Sequence, residues 1–364
     1  MTQKIICFTS FFQHTLRDNT KYLYAYLSTL KEDYSCFFLT ENTEFANYLK
    51  KKGVQAYSTK ESKDYVSALQ KADLIITNEL AYIDRETSIF NDKEILQLWN
   101  FIPIRKMGLA YELEKNKTHF KGYHSIVCSS EWTQKNIMQA CFEGQQFPIT
   151  GYPKTDVLYR DLTEFDKIGT STSLFEKCQS LIREGQKLYF YMPEEKSPPN
   201  RVPIAVAELI ACHSVLKAYN AHVIVPYLPS YFSKIGIPIQ GLTHIHFESH
   251  TNDYYPLFRL FSGFITDYHP MYLDYLHTGK PILFFPFDYG VFAQLDRGTF
   301  VDYTEMTPGL TVYNPKQLPQ FLELFFTQSY KEYARQRHAL RSQFFDHTDG
   351  ENCKRIEAYI RTFI

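Results

Sequence analysis

Short apolar segments alternate with longer amphipathic segments along most of this chain. Residues 4–9 (KIICFT) and 73–77 (DLIIT) are rich in β-branched and aromatic side chains and have the length of buried strands. Residues 21–30 lie between them, and their apolar positions recur every three or four residues, as Tyr22 and Tyr26 do. Strands that alternate with helices form βαβ units, so the sequence predicts parallel sheets covered by helices.

The same alternation returns in the second half of the chain, where residues 188–191 have strand character and residues 202–218 have helical character. About a dozen strands are too many for one open sheet, and a length of 364 residues favours two domains. We therefore predict an α/β fold with two Rossmann-like doubly wound domains, residues 1–155 and residues 185–364 with a helical tail, joined by a linker over residues 156–184. We expect the two domains to face a cleft and to bind ligands at the carboxyl ends of their strands.

The charge balance and the cysteine pattern exclude several classes of protein. The chain carries 39 Lys and Arg against 40 Asp and Glu, so it lacks the basic excess expected of a protein that binds nucleic acid. Its seven cysteines have no Cys-x-x-Cys spacing, which argues against a zinc or redox site and fits a reducing cytosol. The N-terminal apolar run is too short for a signal peptide, and no run of about 18 apolar residues occurs. We expect a cytoplasmic protein without a transmembrane helix.

No glycine-rich phosphate loop occurs, since neither G-x-G-x-x-G nor G-x-x-x-x-G-K-[ST] is present. A phosphate would then be held by side chains or by a helix N-terminus. The best candidate is residues 264–270 (FITDYHP), in which an apolar strand ends at Thr266 and Pro270 stands where a helix begins. His269 in this turn can supply a charge or a proton. The same residues can also simply cap a helix, so both interpretations stay open.

A set of short motifs in a fixed order carries a family resemblance. Residues 266–268 (TDY) are followed by Asp274, by residues 279–282 (GKPI), by Asp288 and by residues 297–298 (RG). In this order they resemble the CDP-glycerol glycerophosphotransferases, the TagB/TagF-like enzymes of teichoic-acid and capsule assembly. The resemblance implies the GT-B architecture and a site for a nucleotide-activated donor in the C-terminal domain. The donor-binding residues it implies are Thr266, Asp267, Tyr268, Asp274, Asp288, Arg297 and Gly298.

Two further motifs extend the resemblance toward the N-terminus. Residues 151–156 (GYPKTD) are similar to the family's G-x-P-R-x-D turn, and residues 99–108 (WNFIPIRKMG) are similar to its W-H-G-T-P-L-K-x-x-G run. Asn100 replaces the histidine of that run, which is a candidate catalytic base, and an amide takes no proton at neutral pH. The resemblance therefore implies a preserved scaffold with changed reacting groups. The residues it assigns to the cleft or hinge are Asn100, Pro103, Arg105, Gly151, Pro153, Lys154 and Asp156.

His14 and His269 are the candidates for catalysis that remain. His14 follows the first predicted strand, in a loop that faces the acceptor side of the cleft in GT-B enzymes, so its imidazole could deprotonate an acceptor hydroxyl. A histidine on a surface loop is the alternative interpretation. His269 would contact the donor phosphate or act as an acid. The spacing of His244, His246 and His250 suggests a metal, but no carboxylate accompanies them, so we predict no metal and no cofactor.

These features together predict a transferase that moves glycerol phosphate or another polyol phosphate from a CDP-activated donor to a cell-surface glycan or lipid-linked acceptor. Two alternatives stay open: a GT-B glycosyltransferase with a nucleotide-sugar donor, and a non-catalytic scaffold of a glycan assembly system. Residues 331–341 (KEYARQRHALR) form either a solvated helix face or a peripheral contact with the inner face of a membrane. We expect no nucleic-acid partner.

Overall fold

The computed structural model describes residues 3–9, 16–60, 64–78, 93–117, 120–194, 201–295, 297–327 and 331–364. The chain divides into two compact units, Met1–Gly169 with Gln343–Ile364, and Thr170–Ser342. In the described ranges, no helix is both long and apolar enough to cross a bilayer.

The first unit is built on a parallel sheet of seven strands. Its strands are β1 (Lys4–Thr9), β2 (Tyr34–Thr40), β3 (Ala56–Ser58), β4 (Leu74–Thr77), β5 (Glu94–Gln97), β6 (Tyr123–Ile126) and β7 (Gly144–Gln146). They lie in the order β3-β2-β1-β4-β5-β6-β7, and all neighbouring pairs are parallel. The order reverses between β1 and β4, which makes this pair the switch point of a doubly wound sheet.

Helices cover this sheet, and local sequence explains where several of them begin. They are α1 (Asp18–Leu27), α2 (Thr43–Lys51), α3 (Asp64–Lys71), α4 (Glu131–Thr133) and α5 (Gln139–Cys141). The side chain of Asn42 accepts the N–H of Phe45 and caps α2, while Ser130 and Thr133 form a reciprocal capping box at α4. Residues of β4 are fully buried, as expected for a central parallel strand with both faces covered.

The second unit repeats the scheme with six parallel strands. Its strands are β8 (Lys187–Met192), β9 (Ala221–Val225), β10 (Ile245–Phe247), β11 (Gly263–Thr266), β12 (Ile282–Phe284) and β13 (Leu310–Thr311), in the order β10-β9-β8-β11-β12-β13. Its helices are α6 (Thr172–Arg183), α7 (Arg201–Ala211), α8 (His213–Ala218), α9 (Pro229–Lys234), α10 (Met271–Tyr275), α11 (Tyr289–Leu295), α12 (Leu318–Thr327) and most of α13 (Ala334–Phe344). The switch point here lies between β8 and β11.

The abundant aromatic residues pack the two cores. In the first unit the rings of Tyr24 and Phe38 lie 5.1 Å apart. In the second, the ring of Phe190 lies 5.2 Å from that of Phe261 and 5.4 Å from that of Phe264. Rings at these separations attract one another in addition to burying apolar area.

The division into units differs from the predicted domains at the C-terminus. The last helix, α14 (Asn352–Ile360), belongs to the first unit, whereas the prediction assigned the whole tail to residues 185–364. The reason is the buried carboxylate of Asp156, which accepts the backbone N–H groups of Asn352 and Cys353 at 3.0 and 2.8 Å. The predicted linker 156–184 also contains regular structure, because it includes α6.

Candidate functional site

A cluster of charged and aromatic side chains in the second unit lies where β8 and β11 end. The Thr266 hydroxyl at the end of β11 donates to the carbonyl of Met192 at the end of β8, at 2.7 Å. The chain then passes through Asp267 and Tyr268, which are both buried. The predicted turn therefore sits at the switch point of the second sheet, the edge at which folds of this kind bind ligands.

Arg201, the first residue of α7, organises this turn. Its side chain is only 1% exposed and pairs with the carboxylate of Asp267 through Nη1. Its Nε and Nη2 donate to the two carboxylate oxygens of Asp288 at 2.9 and 2.7 Å. Burial acts to lower the pKa of Arg201, but the two carboxylates hold that pKa above its ordinary value. The guanidinium thus stays charged and ties the turn after β11 to the segment after β12.

Asp267 is held by several other donors. Its Oδ1 accepts the backbone N–H of Glu194 at 2.8 Å and that of Tyr268. Its carbonyl accepts the hydroxyl of Tyr303 at 2.9 Å. Burial raises the pKa of Asp267, while Arg201 acts in the opposite direction. Both carboxylate oxygens are therefore engaged by protein groups, and Asp267 forms part of the frame of the site.

Aromatic rings cover the same cluster. The ring of Tyr268 stacks on that of Phe292 with a centroid distance of 3.6 Å, and the ring of Tyr303 lies 5.2 Å away. The guanidinium of Arg201 lies 4.8 Å from the centre of the Tyr268 ring, a cation–π distance. The Tyr268 hydroxyl donates to Asp288 at 3.1 Å, and burial raises the pKa of Tyr268, so this phenol stays protonated.

The other residues predicted for donor binding differ in their surroundings. His269 is half-buried, and its Nδ1 accepts the N–H of Met271 at 3.2 Å. Asp274 is buried and accepts the hydroxyl of Tyr255 at 2.5 Å. Arg297 is half-buried and Gly298 is exposed, in the segment that follows α11.

A second cluster, in the first unit, surrounds the buried side chain of Lys154. Its Nζ lies 3.5 Å from the carboxylate of Asp18, contacts the carbonyl of Asn100 and stands 3.9 Å from the centre of the Phe101 ring. Its backbone N–H donates to Asn19 at 3.1 Å. Lys154 therefore joins the start of α1, the segment after β5 and the turn at residues 153–158.

Backbone strain marks the same place. Asp18 and Trp99 have positive φ angles of 67° and 56°, which are costly for residues with a Cβ and recur at functional sites. Gly151 has a φ of 77°, and a Cβ there would overlap Oδ1 of Asn352. Glycine is therefore required at this position both by its conformation and by its close approach to α14.

The other residues predicted for the cleft differ in burial. Pro103 and Pro153 are buried, and Arg105 is half-buried. Asn100 is half-buried, and its Oδ1 has no hydrogen-bond partner among the described residues. His14 lies outside the described residues.

Sequence patterns missed the residues that hold both clusters together. Arg201 begins the helical stretch RVPIAVAELIA, which is apolar except for Glu208, and a charge ahead of an apolar run was the only available signal. No local sequence pattern marked Asp18 and Asn19 as site residues, because the residues they contact are distant in sequence.

Histidines group along one edge of the second sheet. Nδ1 of His222 on β9 lies 2.9 Å from Nε2 of His246 on β10, and the rings of His222 and His244 stack at 4.3 Å. Within the described ranges, no three His, Cys, Asp or Glu side chains are arranged to hold a metal ion.

Comparisons with known proteins agree on one family. The model of the family described as CDP-Glycerol:Poly(glycerophosphate) glycerophosphotransferase matches residues 1–362. The chain is 22% identical over 342 residues to the teichoic acid poly(glycerol phosphate) polymerase of Staphylococcus epidermidis, covering 88% of this chain and 45% of that protein. It is 24% identical over 305 residues to the teichoic acid glycerol-phosphate primase of Bacillus subtilis, covering 76% of this chain and 73% of that protein. The chain thus spans less than half the length of the polymerase.

The fold itself has a solved counterpart. The structure of the wall teichoic acid polymerase TagF superposes with a TM-score of 0.76 at 17% identity, covering 100% of this chain and 89% of that one. This similarity and the two doubly wound sheets confirm the predicted GT-B-like α/β fold class.

Proposed function

Since the chain belongs to the CDP-glycerol:poly(glycerophosphate) glycerophosphotransferase family, we propose that it is a transferase that moves glycerol phosphate or another polyol phosphate from a CDP-activated donor to a cell-surface glycan or lipid-linked acceptor. The observation that carries this proposal is the family match over residues 1–362, together with the buried Thr266–Asp267–Tyr268 turn at the switch point of the second sheet.

The donor is proposed to bind at this turn in the second unit. Asp267 and Asp288 are committed to Arg201, so their role is to fix the shape of the turn rather than to contact the diphosphate. Asp274 of α10, whose carboxylate accepts the hydroxyl of Tyr255, has the same supporting role. Arg297 is the proposed counter-charge of the diphosphate, with Gly298 giving its segment the left-handed backbone it adopts.

In the proposed reaction an acceptor hydroxyl attacks the phosphorus atom that carries the polyol. The P–O bond to CMP breaks, CMP leaves, and the hydroxyl proton passes to a base. Positioning and neutralisation of the developing charge supply most of the acceleration in such transfers.

The hydrogen bond at His269 limits what that residue can do. Its Nδ1 accepts the Met271 N–H, so the neutral ring carries its proton on Nε2. We therefore propose that His269 donates a hydrogen bond to the leaving phosphate and is not the base. His14 remains the proposed base for the acceptor hydroxyl.

Association with the inner face of a membrane in the cytoplasm is part of the proposal, because a lipid-linked acceptor would be held at such a membrane. Two exposed features support it. Tyr231 on α9 and the residues that flank this helix, Leu228 and Ile235, are each more than 40% exposed. In the stretch 331–341, Arg335 is exposed and could contact a membrane. Arg337 is buried, so it belongs to the core and does not contribute to such a contact. Sedimentation with anionic and neutral vesicles at low and high salt tests this contact, which should need anionic lipid and weaken with salt.

Nucleotide preference tests the donor class directly. We expect CDP-glycerol, CDP-ribitol and CMP to raise the melting temperature of the purified chain more than UDP or GDP-sugars do. Arg297→Gln should reduce the shift given by CDP-glycerol more than the shift given by CMP, because only the former carries the diphosphate. A preference for uridine or guanosine would favour the glycosyltransferase alternative, and no shift with any nucleotide would favour the scaffold.

A further inference from the structure

The described part of the first unit contains a cavity of about 300 Å³. The residues that line it come from strands β1 and β2, from β3 with the residue before it, and from helix α3. All of them lie outside the two clusters described above. A cavity of this volume is at the lower end of the range for small-molecule sites, so it suits a ligand with one ring better than a nucleotide.

The side of the cavity that the sheet forms is aromatic with polar groups beside it. The rings of Phe37 and Tyr57 lie 5.3 Å apart with an angle of 88° between their planes, which is an edge-to-face arrangement. Ser35 precedes Phe37 by two residues and Gln55 precedes Tyr57 by two, so side chains of each pair point to the same face of the sheet. Nε2 of Gln55 donates to the hydroxyl of Tyr57 at 3.0 Å, which holds this amide beside the ring.

Helix α3 forms the opposite side of the cavity with a mainly polar face. Asp64, Ser67, Ala68 and Lys71 occupy positions i, i+3, i+4 and i+7, so they share that face. Asp64, Ser67 and Lys71 are exposed, and the cavity therefore opens to solvent. The side chains of Ser67 and Ala68 are short, like that of Ser35 on the sheet, and they leave the space between helix and sheet unfilled.

The cavity extends toward the amino ends of the strands. Ile5 and Ser35 line it, and each is the second residue of its strand. The two residues are also partners in the register of β1 and β2. The crevice of a doubly wound sheet lies at the other edge, where the strands have their carboxyl ends. A ligand in the cavity would therefore bind outside that crevice.

The lining complements a neutral ring that has both apolar and hydroxyl surface. Asp64 and Lys71 supply one charge of each sign, so the cavity does not favour an anion over a neutral ligand. An aromatic face packs against the C–H groups of a pyranose ring. The two serine hydroxyls and the Gln55 amide both donate and accept, as the hydroxyls of a sugar do. A purely apolar ring would leave these polar groups without partners, which costs binding free energy.

We propose that this cavity binds one pyranose ring of a saccharide. The ring packs over Tyr57 and Phe37, while Gln55, Ser35 and Ser67 bind its hydroxyl groups. No bond of the sugar is made or broken here, because the cavity is a binding site apart from the proposed reaction centre. The ring belongs either to a free monosaccharide or to one unit of a longer glycan. The inference does not depend on the proposed function.

Saturation-transfer NMR on the full chain tests the site, with the methyl glycosides of glucose, galactose and N-acetylglucosamine as probes. We expect at least one glycoside to bind, and Ser67→Phe to abolish that binding because the added ring fills the cavity. Gln70→Phe is the matched control, since Gln70 is an exposed residue of the same helix that does not line the cavity. The control variant should bind the glycoside as the wild type does.

Gln55→Ala provides a second test, because it removes a polar group from an exposed position. The affinity for the glycoside should fall about tenfold, as for the loss of one hydrogen bond, with little change in melting temperature. If Ser67→Phe does not fold, Gln55→Ala still decides the matter. Tighter binding of the corresponding trisaccharide identifies a glycan as the source of the ring, and equal or weaker binding identifies a free monosaccharide; both results support the site.

Competition with CDP-glycerol tests where the sugar binds, and CDP-glycerol should leave the glycoside signal unchanged. The proposal is overturned if the wild type binds none of the glycosides, or if CDP-glycerol displaces the bound one. It is equally overturned if a folded Ser67→Phe or Gln55→Ala variant binds as the wild type does, or if Gln70→Phe loses binding as Ser67→Phe does. A chain that binds the glycoside but does not turn over CDP-glycerol contradicts the proposed function and leaves this site standing.

Discussion

In the second unit the guanidinium of Arg201 meets the carboxylate of Asp288 side by side, with Nε and Nη2 donating to its two oxygens at 2.9 and 2.7 Å. The same guanidinium also pairs with Asp267. One buried cation therefore fixes two segments that follow neighbouring strands, and the shape of the proposed donor site depends on it.

Replacing this cation should destabilise the second unit strongly. We expect Arg201→Met to lower the free energy of unfolding by about 3–5 kcal/mol, because it leaves two carboxylates without their partner in a buried site. Arg201→Lys should be intermediate, since an ammonium cannot make the bidentate contact with Asp288. Urea unfolding measures both. Arg183→Met, at the exposed end of α6, is the control and should change stability by less than about 0.5 kcal/mol. If Arg201→Met loses no more unfolding free energy than the control does, Arg201 does not fix these two segments.

The turn at Gly151 should tolerate no side chain. Gly151→Ala introduces both the cost of a Cβ at positive φ and an overlap with Asn352. Gly53→Ala carries the first cost alone, because Gly53 has a φ of 78° and nothing within 4 Å of a built Cβ. We expect Gly53→Ala to cost about 1–2 kcal/mol of unfolding free energy and Gly151→Ala clearly more. Both free energies are measured by chemical denaturation. If the two variants lose the same unfolding free energy, Asn352 of α14 does not hinder a side chain at position 151.

Lys154 and Asp18 should behave as a coupled pair. Lys154→Met leaves the Asp18 carboxylate without its buried partner, so we expect a loss of about 3 kcal/mol in the free energy of unfolding. Adding Asp18→Asn removes the stranded charge and should restore at least about 1 kcal/mol, as a double-mutant cycle measures. Strictly additive effects of the two substitutions would mean that the pair does not interact.

The histidine edge of the second unit should make stability depend on pH. Burial, together with the neighbouring His244, lowers the pKa of His222 to about 4. Burial, together with Lys177 and the neighbouring histidines, lowers the pKa of His246 to about 4. Between the ordinary value of 6.5 and 4, the unfolded chain binds protons that the folded chain does not. Stability from these two groups is therefore complete above pH 6.5 and is lost as the pH falls toward 4.

A melting-temperature series from pH 7 to pH 4.5 measures this loss. His246→Gln should flatten the decline, because it removes one of the two imidazoles whose pKa the fold lowers. His338→Gln, at an exposed position on α13, should leave the decline as it is in the wild type. If both variants follow the wild-type curve, the histidine edge does not contribute to acid sensitivity.

Local sequence was sufficient for the first strand and for the turn of the second site. β1 covers the predicted residues 4–9, and the TDY motif falls directly at the end of β11, because apolar runs and turn residues are properties of neighbouring positions. The predicted helix over residues 202–218 is instead two helices that meet at Cys212. Its apolar spacing continues through the junction and therefore gave no sign of the break.

Long-range pairing could not be predicted in the same way. Arg201 finds Asp267 and Asp288 at separations of 66 and 87 residues, and no local pattern distinguishes it from an exposed arginine. The tail was assigned to the nearer domain, yet its backbone binds Asp156 across 196 residues. Such contacts depend on how the finished sheets bring distant segments together.

Release of CMP from CDP-glycerol by the full chain, measured with and without a polyol-phosphate acceptor, tests the central claim most directly. The account predicts CMP release that rises when the acceptor is added, transfer of the glycerol phosphate to that acceptor, and no nucleotide release from UDP- or GDP-sugars. Release of UDP or GDP with sugar transfer, or no turnover of CDP-glycerol with any acceptor, would contradict it.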